Sequence, residues 1–211
     1  MKIGDISGRC DEGSELSFDD ALQLLRVYGG GEPWVRHCIA VSSLAARITD
    51  ICSVRWDIDR AFIRRASLLH DIGRYRSHDP IMHGVEGYRL LVSLGHYREA
   101  YVCASHILFG ISCSEAAAHG LPAQDFFPTT FEEKLVPVVD SLVDFDRPTT
   151  LEKRVASIRQ RYKDNGYFLG RIDEAAQKVK EFISYVDAEC GVSLERLAAE
   201  TLEYPVSLPL P

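Results

Sequence analysis

The sequence has no excess of basic charge. Lys and Arg number 24 against 31 Asp and Glu, the formal net charge is -7 and the isoelectric point is near 5.5. Without a basic footprint, sequence-independent binding to a nucleic-acid backbone is disfavoured. Small phosphorylated ligands stay compatible, because a bound metal supplies local positive charge whatever the net charge. No apolar run approaches the ~20 residues that a membrane span needs. No secretory signal opens the chain, and none of the six cysteines, at 10, 38, 52, 103, 113 and 190, forms a C-x-x-C pair. These absences lead to the expectation of a soluble, cytoplasmic protein with no nucleic-acid or membrane partner, its cysteines buried free thiols in a reducing compartment. No Ser-His-Asp or Cys-His order suggests a side-chain nucleophile. There is no glycine-rich phosphate loop either, since Gly29-Gly30-Gly31 follows one helical pattern and precedes Pro33, which opens the next.

Strand alternation, repeats and low-complexity tracts are absent as well. What is present, in 211 residues that are 46% hydrophobic and 26% charged, is helical periodicity over one domain, or one domain with an appendage. Ser17-Phe18-Asp19-Asp20 reads as a helix start of the capping-box type, and Thr130-Phe131-Glu132-Glu133 as another. Helices are expected from Ser17 to Gly29, Trp34 to about Ile51, Asp57 or Asp59 to Leu69, Met82 to Gly95, Tyr97 to Ser105 and Ser114 to His119. Others follow from Thr130 through Asp144, Thr150 to Tyr162, Ile172 to Cys190 and Ser193 to Glu200. Pro137 is tolerated early in its helix or kinks it. The fold class is all-α, a helical bundle with a C-terminal helical extension. Residues 1–16 form a loose N-terminal segment, 17–165 the main helical domain, and 166–211 the extension and a proline-rich tail.

The stretch that demands an explanation is Leu68-Leu69-His70-Asp71-Ile72-Gly73-Arg74. An apolar helical run delivers an imidazole and a carboxylate side by side, and burying such groups unpaired costs several kcal/mol. A shared divalent metal removes that cost, and these ligand types suit Zn, Fe, Mn and Co. The alternative is a helix end with Gly73 as its C-cap. The other candidates also sit at helix ends or on core faces. His37 opens a helix, a position where a lone histidine is more often a surface or capping residue. His83 opens another, His106 closes one, and Asp140 interrupts the apolar run Leu135–Val143, with Asp144 one turn later on the same face. A helical bundle builds metal sites from facing side chains of this kind. His78, His96 and His119 read as solvated loop or boundary residues.

His37, His70-Asp71 and Asp140, with the Leu-Leu-His-Asp-Ile-Gly signature, resemble the HD-domain superfamily of metal-dependent phosphohydrolases. His83 and His106 resemble its two-metal subset. The segment His83-Gly84-Val85-Glu86-Gly87-Tyr88 is similar to a helix start in the diadenosine-tetraphosphate hydrolases of that superfamily. The run from His106 through Gly110-Ile111, Gly120-Leu121-Pro122 and Glu132-Glu133-Lys134 to Asp140 resembles a group of small, often archaeal, HDIG-type proteins. The resemblance covers about residues 20–162. It implies that Asp71 bridges two divalent ions (Fe, Mn, Co or Zn), that His37, His70 and Asp140 complete one site, and that His83 and His106 complete the other. It further implies hydrolysis of a small phosphorylated substrate, expected to be a nucleotide, by metal-activated water, with Asp71 and Arg74 as catalytic residues. Arg74 stands where many two-metal relatives have lysine; it keeps the charge but changes shape and reach. His106 is followed by Ile107, not by the second histidine of the cyclic-dinucleotide branch, which argues against cyclic-di-GMP as substrate. The same ligand order occurs in HD-fold diiron oxygenases, and a non-catalytic regulatory domain is a third possibility. Specificity is expected in loops 74–82 and 107–130, and in the C-terminal helices if they fold back over the site. A homo-oligomer is left open.

Overall fold

The computed structural model describes residues 15–203. Ten α-helices are present among them. In chain order they are α1 (Phe18–Gly29), α2 (Pro33–Cys52), α3 (Arg60–Leu69), α4 (Met82–Ser93), α5 (Tyr97–Ser105), α6 (Cys113–Ala118), α7 (Phe131–Ser141), α8 (Leu151–Arg161), α9 (Gly166–Cys190) and α10 (Leu194–Thr201). One-turn 3-10 helices follow α3 (Ile72–Tyr75) and α5 (Ile107–Phe109). A two-stranded antiparallel hairpin, β1 (Val143–Asp144) and β2 (Arg147–Pro148), separates α7 from α8.

Side-chain caps set the helix starts. Ser17 accepts from the Asp20 amide, Asp59 from Phe62, Thr130 from Glu133, Thr150 from Lys153 and Ser193 from Arg196. Each satisfies a backbone donor that a helix N-terminus leaves free, worth about 1 kcal/mol. Pro33 takes the first turn of α2, where no amide is needed. Pro137 lies within α7 without ending it.

Three large apolar clusters and one small one (Phe62, Ala66, Val102 and Val136, between α3, α5 and α7) fill the interior. One joins α1 and the first half of α2 to the end of α3, α4 and α5 through Leu25, Cys38, Leu69 and Leu91. A second joins the later half of α2 and α7 to α9 and α10 through Leu44, Ile48, Leu142, Val186 and Leu194. The third packs α4, α5 and α6 against α9 through Val85, Ile111, Phe126 and Ile172. The C-terminal helices therefore share the main core.

The structure corrects the sequence reading in several places. Helix α9 begins at Gly166, not Ile172, because Asn165 caps it by accepting from the Phe168 amide; two glycines, 166 and 170, hid the periodicity there. Helix α7 ends at Ser141, so Asp144 lies in the hairpin and not one turn along the helix. The hairpin itself is too short for alternation to show. Residues 1–14 of the expected loose segment, and Cys10 with them, lie outside the described residues, while Leu16 is buried and Glu15 pairs with Arg65. Cys113 is exposed and Cys190 half-buried, so not every thiol is interior.

Gly73 also departs from the C-cap reading. It lies inside the 3-10 turn, and its φ is not among the positive ones. A Cβ there would collide with the His83 carbonyl oxygen and the Gly87 amide nitrogen of α4. Gly84 is closed in the same way by the Cys103 carbonyl and Ile107. These two glycines let the turn after α3, the start of α4 and the end of α5 approach backbone to backbone, which brings the residues at those three places together.

Candidate metal centre

Several helix ends converge on one locus. His37 comes from the start of α2 and His83 from the start of α4; His70 and Asp71 follow α3, His106 caps α5, and Asp140 lies in the last turn of α7. Three helices present C-terminal ends and two present N-terminal ends at this place, so their dipoles largely offset and the carboxylates of Asp71 and Asp140 supply the attraction for a cation.

All six side chains expected to meet do so. His37, His70, Asp71, His83 and His106 are buried, and the Asp140 side chain is 21% exposed. The two oxygens of Asp71 divide the set. Its Oδ2 lies 4.0 Å from His37 Nε2 and 3.8 Å from His70 Nε2, and Asp140 Oδ1 lies 2.9 and 3.8 Å from the same two nitrogens. Its Oδ1 lies 3.0 Å from His83 Nε2 and 3.7 Å from His106 Nε2. Ligand atoms of His37, His70 and Asp71 form one compact group, and those of Asp71, His83 and His106 another. Asp71 is common to both. His37 is therefore not the surface or capping residue that its position alone suggested.

The hydrogen-bond pattern tests whether these groups suit a cation. Each imidazole donates its Nδ1–H to a main-chain carbonyl: His37 to Phe145 at 2.6 Å, His70 to Ser67 at 2.8 Å, His83 to Asp79 at 2.7 Å and His106 to Val102 at 3.2 Å. Carbonyls only accept, so the proton on Nδ1 is assigned and the Nε2 lone pair of each neutral ring faces inward. This outer hydrogen bond is what orients a metal-ligating histidine. Burial lowers the His70 pKa to about 4 against the pull of Asp71 and Asp140, and burial, helped by Arg74, lowers that of His83. With the His83 ring neutral, the 3.0 Å between its Nε2 and Asp71 Oδ1 sets a lone pair against a carboxylate, and His106 Nε2 stands 3.2 Å from the same nitrogen. His70 Nε2 has no hydrogen-bond partner among the described residues. Such an arrangement is unfavourable by itself and is relieved by a cation among these atoms. The donor set, neutral imidazole and carboxylate, suits a first-row divalent metal.

Cationic side chains surround the carboxylates. Arg74 pairs with Asp71 through Oδ2. Burial opposes the Arg74 charge, but Asp71 and the Tyr162 hydroxyl more than offset it, so its pKa is raised. Asp71 and Asp140 are both held well below the carboxylate range: burial opposes ionisation, and Arg74 with His70 for Asp71, and Arg154 with His37 for Asp140, outweigh it.

Arg154 was not anticipated. It is 6% exposed and bridges Asp140 (3.1 Å) and Asp144 (2.6 Å). The signal was there: Arg154 shares the helical stripe of Leu151, Val155 and Ile158 on α8, an apolar face on which a cation needs a partner. Arg161, Tyr162 and Phe145 were missed too. Of the three histidines read as solvated, none joins the cluster, although exposed His78 stands at the rim of an adjoining cavity. The other expected specificity elements do reach the site. Pro80, Leu108 and Phe109 line a cleft over Asp71, His83 and His106, and Phe168, Ile172 and Val179 of α9 cover it, so the C-terminal helices fold back as expected.

A family model described as HD domain matches residues 34–121, which carry five of the six clustered side chains. The uncharacterized protein MJ0778 of Methanocaldococcus jannaschii is 35% identical over 159 residues, 74% of this chain and 93% of that protein. Two proteins named tRNA (cytidine(56)-2'-O)-methyltransferase also match: that of Picrophilus torridus at 28% identity over 86% of this chain, and that of Thermoplasma volcanium at 27% over 83%. The chain spans about half the length of these two, 50% and 48%. No solved structure matches. The family model and the likeness to nearly the whole Methanocaldococcus protein agree with the converging histidines and aspartates, and the chain belongs to the HD-domain superfamily of metal-dependent phosphohydrolases.

Proposed function

We propose that this protein is a metal-dependent phosphohydrolase acting on a small phosphorylated substrate, expected to be a nucleotide. His37, His70, Asp71 and Asp140 would hold one divalent ion, and Asp71, His83 and His106 a second. The observation that carries this reading is the set of four imidazoles, each locked by a main-chain carbonyl so that its lone pair faces one of the two oxygens of Asp71. Divalent ions bound there supply Lewis-acid charge to a phosphoryl oxygen and lower the pKa of a water toward neutrality.

The chain's own residues do the rest. Arg74 and Arg154 line the cavity beside the carboxylates, and a guanidinium binds a phosphate oxygen pair with fixed geometry. Arg74, braced by Tyr162, is placed to neutralise charge on the phosphoryl group during transfer. Phe168, Ile172 and Val179 of α9 limit bulk water on the Asp71, His83 and His106 side. We read the half-length likeness to the two tRNA methyltransferases as a shared HD part, not as shared methyl transfer, because the clustered residues are metal-ligand types.

The test begins with elemental analysis. Apo-protein reconstituted with Mn2+ or Co2+ is then assayed under argon against a panel of phosphoesters and phosphoanhydrides. Hydrolysis is expected, and Asp71→Ala should abolish it together with metal retention at both positions. Activity only with iron and only in air, with O2 consumed in proportion to product, would establish an oxygenase instead. Full metal occupancy with silence in both assays would leave a regulatory domain.

A further inference from the structure

Phe145 is placed against the ordinary rules of the backbone. It is the first residue after β1 in the hairpin turn, and its φ is +55°. That conformation belongs to glycine, asparagine or aspartate in tight hairpins, and for a bulky side chain it is strained. Its ring is also 64% exposed. The strain has one structural use: the Phe145 carbonyl receives the His37 Nδ1–H at 2.6 Å and so orients that ring. A glycine would provide the same carbonyl without strain and without an exposed aromatic surface. The carbonyl thus explains the turn but not the phenylalanine.

Phe145 lines a cavity of about 430 Å3. This cavity opens on Asp71 and His37 and is lined by Arg74, Arg154 and Arg161, by Trp34, Phe145 and Tyr162, by Glu32, and by His78 at its rim. Three guanidinium groups outnumber the two lining carboxylates, Asp71 and Glu32, and suit an anionic group. Two of them, Arg74 and Arg154, stand at the carboxylates of the candidate metal centre. The third, Arg161, lies 5.1 Å from the centroid of the Phe145 ring and 3.0 Å from Asp144. Volumes of about 300–1,000 Å3 are typical of small-molecule sites, and a phosphate group alone would leave most of this one unfilled. The cavity is therefore cationic near the carboxylates and aromatic at its mouth.

We propose that this cavity is the nucleoside subsite of the enzyme and that Phe145 determines specificity by stacking on the base of a mononucleotide whose phosphate lies toward Arg74 and Arg154. The proposal rests on the phosphohydrolase reading for the placement of the phosphate. An exposed ring with a guanidinium over one face leaves the other face as a platform that accepts any base, so preference among bases is weak and preference for a base over none is about tenfold. Recognition by Phe145 adds to affinity without touching the reacting atoms, which makes it a residue of specificity and not of catalysis.

The test is equilibrium binding, which stands apart from turnover. In the metal-loaded Trp56→Phe protein, Trp34 is the only tryptophan left, and its fluorescence is titrated with AMP, adenosine, ribose 5-phosphate and inorganic phosphate. AMP should bind more tightly than ribose 5-phosphate by about tenfold, the ~1.4 kcal/mol that corresponds to a modest stacking contact. Phe145→Gly should erase that difference while leaving the ribose 5-phosphate and phosphate affinities, the metal content and the melting temperature at or above their starting values. Phe145→Trp should keep it. If Phe145→Gly lowers the melting temperature, Phe145→Asn, also suited to positive φ, takes its place. Equal affinity for AMP and ribose 5-phosphate in the parent protein, or an undiminished AMP preference in the glycine or asparagine variant, overturns the proposal. A base-dependent affinity in a protein that hydrolyses none of the panel keeps the subsite and refutes the hydrolase reading instead.

Discussion

Replacing Gly73 by alanine should damage the centre without touching any of its ligands. The added Cβ would lie inside contact distance of the His83 carbonyl oxygen and the Gly87 amide nitrogen, and 3.0 Å from the Glu86 carbonyl carbon. All three are main-chain atoms of α4, so no side chain can swing away to make room. Contacts of ordinary length require the two segments to separate by about 1.5–2 Å, given optimal separations of about 3.5–4.0 Å. Overpacking of this kind costs about 1–3 kcal/mol. Because His83 is on the displaced segment, its Nε2 should move away from Asp71 Oδ1, now 3.0 Å distant. The expected outcome is a urea midpoint lowered in proportion to that energy and, on the proposed two-ion reading, loss of the ion assigned to His83 and His106 with the ion assigned to His37, His70 and Asp140 retained. Gly170 is the control. It lies in the first turns of α9, and a methyl group added there would meet no neighbouring atom, so Gly170→Ala should be neutral or stabilise by up to about 1 kcal/mol. Unchanged stability and full metal content in Gly73→Ala would refute the reasoning, because the close approach of the two segments would then not require glycine.

Metal-free protein should lose stability as pH falls from 6.5 to 4. His70 has a folded pKa of about 4 against an ordinary 6.5, so across this window the unfolded chain binds a proton that the folded chain does not; the loss is about 3 kcal/mol, with His83 adding in the same direction, and denaturation midpoints at several pH values measure it. Bound metal should flatten that dependence. Arg74→Ala should raise KM or lower kcat with metal content unchanged, and Arg74→Lys should recover only part, because a point charge does not reproduce the guanidinium fork; equal kinetics for all three would assign Arg74 a structural pairing alone. Arg154→Met removes the cation that bridges Asp140 and Asp144 and should destabilise the fold by about 3–5 kcal/mol in the metal-free state, less when metal is bound, as read from melting curves with and without Mn2+. In thiol labelling of the folded protein Cys113 should react ahead of Cys38 and Cys103, which are buried with raised pKa values; simultaneous labelling of the three would contradict the packing.

The all-α class and most helix limits were legible in the sequence because they depend on local signals. Apolar spacing marks α2 and α7, and caps such as Ser17, Asp59 and Thr130 act within three residues of the amide they satisfy. His70, Asp71 and Asp140 were legible for a related reason: a histidine or aspartate at the end or on the core face of an apolar helix is costly unless something pairs with it, and that cost is visible in one dimension. His37, which by position alone read as a surface or capping residue, was tied to them by the resemblance. The division of the clustered side chains between the two oxygens of Asp71 was implied only by resemblance, and distances were needed to draw it. Other features depended on contacts between distant segments. The role of Gly73 comes from the backbone of α4, which no local pattern near residue 73 reports. Arg154 bonds Asp140 and Asp144 only because a short hairpin folds α8 back across the end of α7. The strained Phe145, whose carbonyl orients His37 across more than a hundred residues, could not be read from the sequence at all. Periodicity and caps describe a residue's neighbours along the chain, whereas the geometry of a site at the meeting point of five helices is decided by how closely those helices pack.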